Sequence, residues 1–150
     1  MSKTNKPAGC PCGGPSLAAC CGPYLDGYLD GAVLPATAEL LMRSRYTAYT
    51  LQNEPYLLAT WYPRTRPTER IVDPAEPVHW LGLEVKSALR LRQRKVTGPD
   101  EAYVEFVARF RIGGKGQRLH EISRFLREPD PALGGQPRWF YVDGDFPTKD

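Results

Sequence analysis

Apolar and polar positions recur with two different periods along this chain, and the change of period divides it. Over residues 37–52, TAELLMRSRYTAYTLQ, the spacing is helical: Leu41, Ser44, Ala48 and Leu51 share a face, with Leu40 and Arg45 at its edges. Thr37 is placed to cap this helix, and Glu39 meets the positive end of its dipole. A second, shorter helix is predicted from Asn53, with Pro55 in its first turn and Tyr56, Leu57, Leu58 and Trp61 along it before Pro63. Residues 63–79 are a proline-punctuated connection with one helical turn at 69–72. The period then drops to two. Over 80–95, Leu81, Leu83, Val85, Ser87, Leu89 and Leu91 point one way, and Lys86, Arg90, Arg92 and Arg94 the other. Over 101–112 every even position is apolar, and two more strands follow at 117–127 and 138–143. Helices ahead of a four-stranded antiparallel meander make an α+β fold.

Turn positions set the expected register. A turn at 97–100 pairs Val96 with Glu101, which brings Leu91 opposite Phe106 and Arg92 opposite Glu105. A glycine turn at 113–116 pairs Ile112 with Gln117, which brings Glu105 opposite Arg124. The outer face then carries an Arg92–Glu105–Arg124 ladder, so its basic stripe is explained by cross-strand pairing, and nucleic-acid binding is weakly supported. On the inner face the same register places Glu121 opposite Ala108 and Ser123 opposite Phe106. A carboxylate on an apolar face needs a partner or gives up its charge. Two readings follow. Glu121 and Arg45 form a buried ion pair, or Glu121 sits at the bottom of a cavity lined by Arg45, Tyr46, Tyr49, Trp61 and Ser123.

Length and composition narrow the class. The 150 residues, 41% hydrophobic and 25% charged, suit one compact domain with a small appendage, and the formal net charge of +3 is modest. No run approaches the ~18 apolar residues of a membrane span. No apolar core follows the basic residues of the N-terminus, so a secretory signal is not expected and a cytoplasmic location is.

All four cysteines lie in one short stretch, CPCGGPSLAACC, as Cys10-x-Cys12 and Cys20-Cys21 with a glycine-proline turn between them. In a reducing compartment, clustered thiols read better as metal ligands than as disulfides. Four thiolates close a tetrahedral zinc site and leave no position for a catalytic water. Such a segment is too short to fold on its own core, so the metal must supply much of its folding energy. The alternatives are a vicinal redox disulfide at Cys20-Cys21 and surface thiols with no role.

The cysteine stretch resembles the SEC-C motif. Taken with CCGPYLDG, LMRSRYTAYTLQNEPYLLATWYP, WLGLEV, LHEISRF and WFYVDGDF, the chain resembles the YchJ family of small bacterial proteins. The resemblance implies a SEC-C zinc segment over 1–27 joined to a nuclear-transport-factor-2-like (cystatin-like) domain over 28–150. It implies ligand roles for Cys10, Cys12, Cys20 and Cys21, and no established activity. Relatives often carry histidine after the Thr-Trp pair, where this chain has Tyr62, which weakens an enzymatic reading. The leading functional expectation is a binding or adaptor protein that docks a protein partner, or with weaker support an RNA, through its zinc segment. The second is an enzyme or small-molecule binder working from the inner cavity around Glu121, and thiol redox chemistry ranks last. A homodimer through the open sheet face is compatible with all three.

Overall fold

Both expected helices begin at their expected caps. In the computed structural model, which describes residues 10–14, 16–27, 33–68, 71, 78–86 and 98–146, the Thr37 hydroxyl accepts a hydrogen bond from the Leu40 N–H at 3.1 Å. Helix α2 (Ala38–Thr50) follows it. The Asn53 side chain accepts from the Tyr56 N–H at 3.2 Å and opens α3 (Glu54–Ala59). A one-turn helix, α1 (Gly22–Gly27), precedes them directly after Cys21. Leu51, expected on the apolar face, is instead half exposed, because it is the C-cap residue and lies beyond the last packed turn.

Four antiparallel strands follow in sequential order: β1 (His79–Val85), β2 (Glu101–Ile112), β3 (Lys115–Asp130) and β4 (Gln136–Asp145). Helix α2 lies against the sheet, touching β1, β2 and β4. Between them Leu41, Met42, Tyr46, Phe106, Ala108 and Phe125 make the core, which Cys10, Cys12 and Cys21 join from the N-terminal side. The cysteine segment therefore shares its buried cluster with the sheet domain.

The register departs from expectation in three places. Gly113 and Gly114 both take positive φ (56° and 81°), so the β2–β3 turn needs two residues and pairs Ile112 with Lys115. The slip is two residues, so every side chain keeps its face, but its partner changes. Phe106 now faces Glu121, and Val104 faces Ser123. The expected charge ladder is lost with it. Glu105 faces Ile122 and meets His120 Nε2 at 2.6 Å, while Arg124 pairs with Glu101 at 2.7 Å. Arg92 lies outside the described residues. In β1, Val85 rather than Leu91 pairs with Phe106. A bulge between Trp80 and Gly82 reverses the parity there, so Leu81 is 52% exposed and Trp80 turns onto the inner face. The expected positions Ser87, Leu89 and Leu91, and most of the 69–72 turn, also lie outside the described residues.

Residues 60–65 run along the free side of β4. The Tyr141 N–H donates to the Thr60 carbonyl at 2.9 Å, and the Tyr62 N–H donates to the Tyr141 carbonyl at 2.7 Å. The Thr65 hydroxyl donates to the Val142 carbonyl at 2.7 Å.

Candidate metal centre and binding cavity

The cysteine segment winds into two tight turns. The Gly13 N–H donates to the Cys10 carbonyl at 2.8 Å, with Gly13 at φ +103°, a value open to glycine and strained for other residues. The Cys20 and Gly22 N–H groups both bond the Leu17 carbonyl, and Cys21 heads α1 by accepting from Tyr24 and Leu25. These turns bring the four sulfurs within 4.8 Å of one another. Cys12 Sγ is 3.4 Å from Cys20 Sγ and 3.6 Å from Cys21 Sγ, and Cys20 and Cys21 are 3.9 Å apart. All four are free thiols. Helix α2 fixes the cluster from below: Thr47 Oγ1 is 3.6 Å from Cys10 Sγ, and Arg43 Nη1 donates to the Cys12 carbonyl at 3.0 Å.

Electrostatics splits the thiols. Burial pushes Cys10 up, but N–H groups at Cys12 and Cys21 and the Thr47 hydroxyl outweigh it and bring it down to about 7. Burial and the neighbouring thiols Cys12 and Cys10 push Cys20 up to about 11, and burial pushes Cys21 up as well. Four thiolates this close need a cation, and the four-sulfur donor set suits a soft, tetrahedral metal ion. The residues present can hold one.

A cavity of about 240 Å³ lies on the other side of α2's packed surface, between helix and sheet. Glu121 stands at its floor, 6% exposed, and its Oε2 accepts from Ser123 Oγ at 2.8 Å and from the Tyr141 hydroxyl at 2.9 Å. Gly144, opposite Ser123 after a bulge in the β3–β4 ladder, leaves the space the carboxylate fills; a Cβ there would overlap it. Burial raises the Glu121 carboxyl, while Ser123, Tyr141 and the Arg45 charge oppose the rise. Burial and the adjacent carboxylate push Tyr141 strongly up, so its hydroxyl is a proton donor.

Arg45 is 5% exposed and makes no ion pair with Glu121 among the described residues. Its Nη1 donates to the Leu57 carbonyl at 2.8 Å and to Thr60 Oγ1 at 2.7 Å. Its guanidinium lies 5.0 Å from the Trp61 ring centroid and 4.6 Å from that of Tyr141, whose rings meet edge to face. Two aromatic faces thus take the place of the expected carboxylate. Burial lowers the Arg45 pKa, and Tyr49, Tyr141, Tyr56 and Glu121 resist the fall.

Of the residues expected at this site, Glu121, Ser123, Arg45, Tyr46 and Tyr49 line the cavity, and Trp61 stands behind Arg45 outside it. The sequence reading missed Trp80, which a bulge turns inward against Tyr46 at 5.4 Å, and Tyr141. The alternation of β4 put Tyr141 in a strand, but nothing local signals that its hydroxyl reaches Glu121. Tyr62 is not at the cavity; its hydroxyl donates to Glu128 at 3.1 Å. No helix among the described residues is long and apolar enough to cross a membrane.

Residues 37–144 match the family described as YchJ, middle NTF2-like domain. A UPF0225 protein of Chromobacterium violaceum is 51% identical over 144 residues, covering 95% of this chain and 96% of that protein. One from Ralstonia nicotianae is 48% identical, covering 93% and 92%. Among solved structures, a SEC-C motif containing protein from Psychrobacter arcticus superposes with a TM-score of 0.69 at 29% identity, over 94% of this chain and 84% of that one. A second, from Rhodopseudomonas palustris, gives 0.68 at 30% identity, over 94% and 100%.

Proposed function

This chain belongs to the YchJ family, and on that premise we propose that it is a small-molecule-binding protein, stapled at its N-terminal end by a structural zinc ion. The carrying observation is the floor of the cavity. Glu121 is buried among aromatic side chains, its Oε2 is used by Ser123 and Tyr141, and its Oε1 has no hydrogen-bond partner among the described residues. A carboxylate oxygen left without a partner at the wall of an apolar cavity is a prepared contact for a ligand.

The zinc assignment draws on the sulfur spacing. Tetrahedral zinc–thiolate bonds of about 2.3 Å put sulfurs about 3.8 Å apart; the pairs among Cys12, Cys20 and Cys21 span 3.4 to 3.9 Å, and all four sulfurs lie within 4.8 Å of one another. Cys10, Cys12, Cys20 and Cys21 would hold the ion. It would supply charge neutralisation and folding energy, and with four protein ligands it has no position for substrate. Such a site persists where thiols stay reduced, as in the cytoplasm.

Thermal-shift screening of the metal-loaded protein against a metabolite set tests the cavity reading. Compounds that raise the melting temperature of wild type, with the shift altered in Glu121→Gln, support it. A set that shifts nothing overturns it. The zinc reading is tested by native mass spectrometry beside acid-denatured protein, where one zinc mass lost on denaturation with four free thiols is expected. A two-proton deficit and no metal would instead promote redox chemistry at Cys20-Cys21.

A partner-docking role for the cysteine segment is the second reading, favoured by its exposed rim at Gly13, Ala18 and Ala19. Deleting the segment would remove part of the shared core. Ala18→Glu is therefore the cleaner test, and it should abolish binding of a candidate partner without lowering stability.

A further inference from the structure

The cavity also constrains what it can hold. This inference rests on the small-molecule reading above and sharpens it. At about 240 Å³ the space exceeds the ~150 Å³ that accommodates a benzene ring. It falls below the ~300 Å³ at which drug-sized ligands begin, so one or two fused rings fit. The walls favour flat, apolar surface. Trp80 is braced by Tyr46 at 5.4 Å and Phe110 at 5.2 Å, and the Phe106 and Phe125 side chains extend the same lining.

Charge narrows the class further. Among the described residues the lining holds one carboxylate, Glu121, and one guanidinium, Arg45. Between these apolar walls a cationic ligand opposes Arg45 and an anionic one opposes Glu121. A zwitterion would bring two more full charges out of water, at a large desolvation cost. A ligand with no net charge avoids both. Its polar groups are set by what the protein leaves over. Glu121 Oε1 accepts a hydrogen bond, and the Arg45 guanidinium, which also holds the Leu57 carbonyl, Thr60 Oγ1 and the Tyr49 hydroxyl, presents its positive charge to a carbonyl in the same lining. We infer that the cavity binds a compact, planar, uncharged heterocycle of the lactam type, whose ring N–H donates to Glu121 and whose carbonyl faces Arg45.

The test uses the metal-loaded full chain and two nearly identical probes. 2-Quinolinone carries an N–H beside its carbonyl; coumarin has a ring oxygen in place of that N–H and the same shape. Naphthalene, 2-naphthoate and 2-naphthylmethylammonium complete the set. Binding is followed by NMR of the protein, reading the Trp80 indole and the Tyr46 and Tyr141 rings. 2-Quinolinone should bind at the cavity roughly tenfold or more tighter than coumarin, the loss expected when a charged acceptor is left without its donor. The charged probes and naphthalene should be weaker still. In Glu121→Gln the preference for quinolinone over coumarin should shrink severalfold. Coumarin, naphthalene or a charged probe binding as tightly as quinolinone would overturn the lactam assignment and leave the small-molecule reading standing. If no probe perturbs the cavity residues at millimolar concentration while the metabolite screen succeeds, the lactam assignment fails alone. If both are silent, the two fall together. The wild-type comparison needs no variant, so a misfolded Glu121→Gln does not rescue the idea.

Discussion

Two groups of ionisable side chains pack on neighbouring faces of α2, and their charges are managed in opposite ways. The cysteine cluster is assembled by twelve consecutive residues and contains no countercharge of its own, so only an added cation can hold four thiolates together. The Glu121–Arg45 floor is assembled from α2, α3, β3 and β4, and it neutralises itself with hydroxyls, a carbonyl and two ring faces. On the proposed zinc reading, the first region depends on an ion from solution in order to fold. The second is already satisfied on one side and offers its remaining valences to a guest. A protein built this way should be fragile toward metal loss and tolerant of an empty cavity.

The largest effect that could break this contrast comes from the cysteines. Cys12→Ser, or chelation under reducing conditions, should lower the melting temperature by on the order of 10 °C or more. Because Cys12 shares a core with Tyr46 and Met42, the near-UV signal of the cavity aromatics should be lost with it. A chelated protein that melts with the untreated one would end the staple reading. Next in size is Arg45→Met. It removes two short hydrogen bonds, leaving the Leu57 carbonyl with only a 3.4 Å contact from Thr60, and two ring contacts, at about 3 kcal/mol by chemical denaturation. Arg45→Lys should recover little, because an ammonium cannot lie flat between Trp61 and Tyr141. Recovery by lysine would mean that the charge alone matters.

Gly144→Ala should cost about 1–3 kcal/mol, since the new methyl displaces the Glu121 carboxylate from Ser123 and Tyr141. Ligand-induced stabilisation should disappear with it, and a variant as stable as wild type would show that the floor can rearrange freely. The smallest effect is a slope. Burial raises the Glu121 carboxyl above its ordinary 4.5, so the folded state holds this proton more tightly than the unfolded chain. The resulting stability is present below about pH 4.5 and is lost as pH rises through the raised folded value. Between pH 4 and 7, Glu121→Gln should therefore gain stability relative to wild type. Equal slopes in paired urea titrations would mean that the carboxylate is better compensated than its burial implies.

The same contrast explains what could be read from the sequence. Spacing alone exposes Cys10, Cys12, Cys20 and Cys21, because a metal knuckle is a local object. The caps at Thr37 and Asn53 and the strand predicted over 101–112 are local too, and all three recur in the structure, although burial along the strand does not alternate because residues 104–108 are buried on both faces. The inward placement of Glu121 and Ser123 survived a register error because the Gly113-Gly114 turn shortened the loop by an even number of residues. Trp80 had no such protection. One bulge of a single residue exchanged it with Leu81, and alternation carries no sign of a bulge. Arg45's partners and Tyr141's reach are tertiary facts. They depend on how α3 and β4 converge, which no residue pattern within either element encodes.

One consequence of the 60–65 segment concerns how copies of the sheet can meet. An outer strand ordinarily presents a row of unsatisfied amides that recruits further strands, either as a dimer ladder or as an aggregate. Here the Tyr141 amide is already taken by the Thr60 carbonyl, and its carbonyl by the Tyr62 amide. An incoming strand would have to strip that segment away before it could zip along the middle of β4. The chain carries its own blocking strap, laid against the strand whose tyrosine also completes the cavity floor.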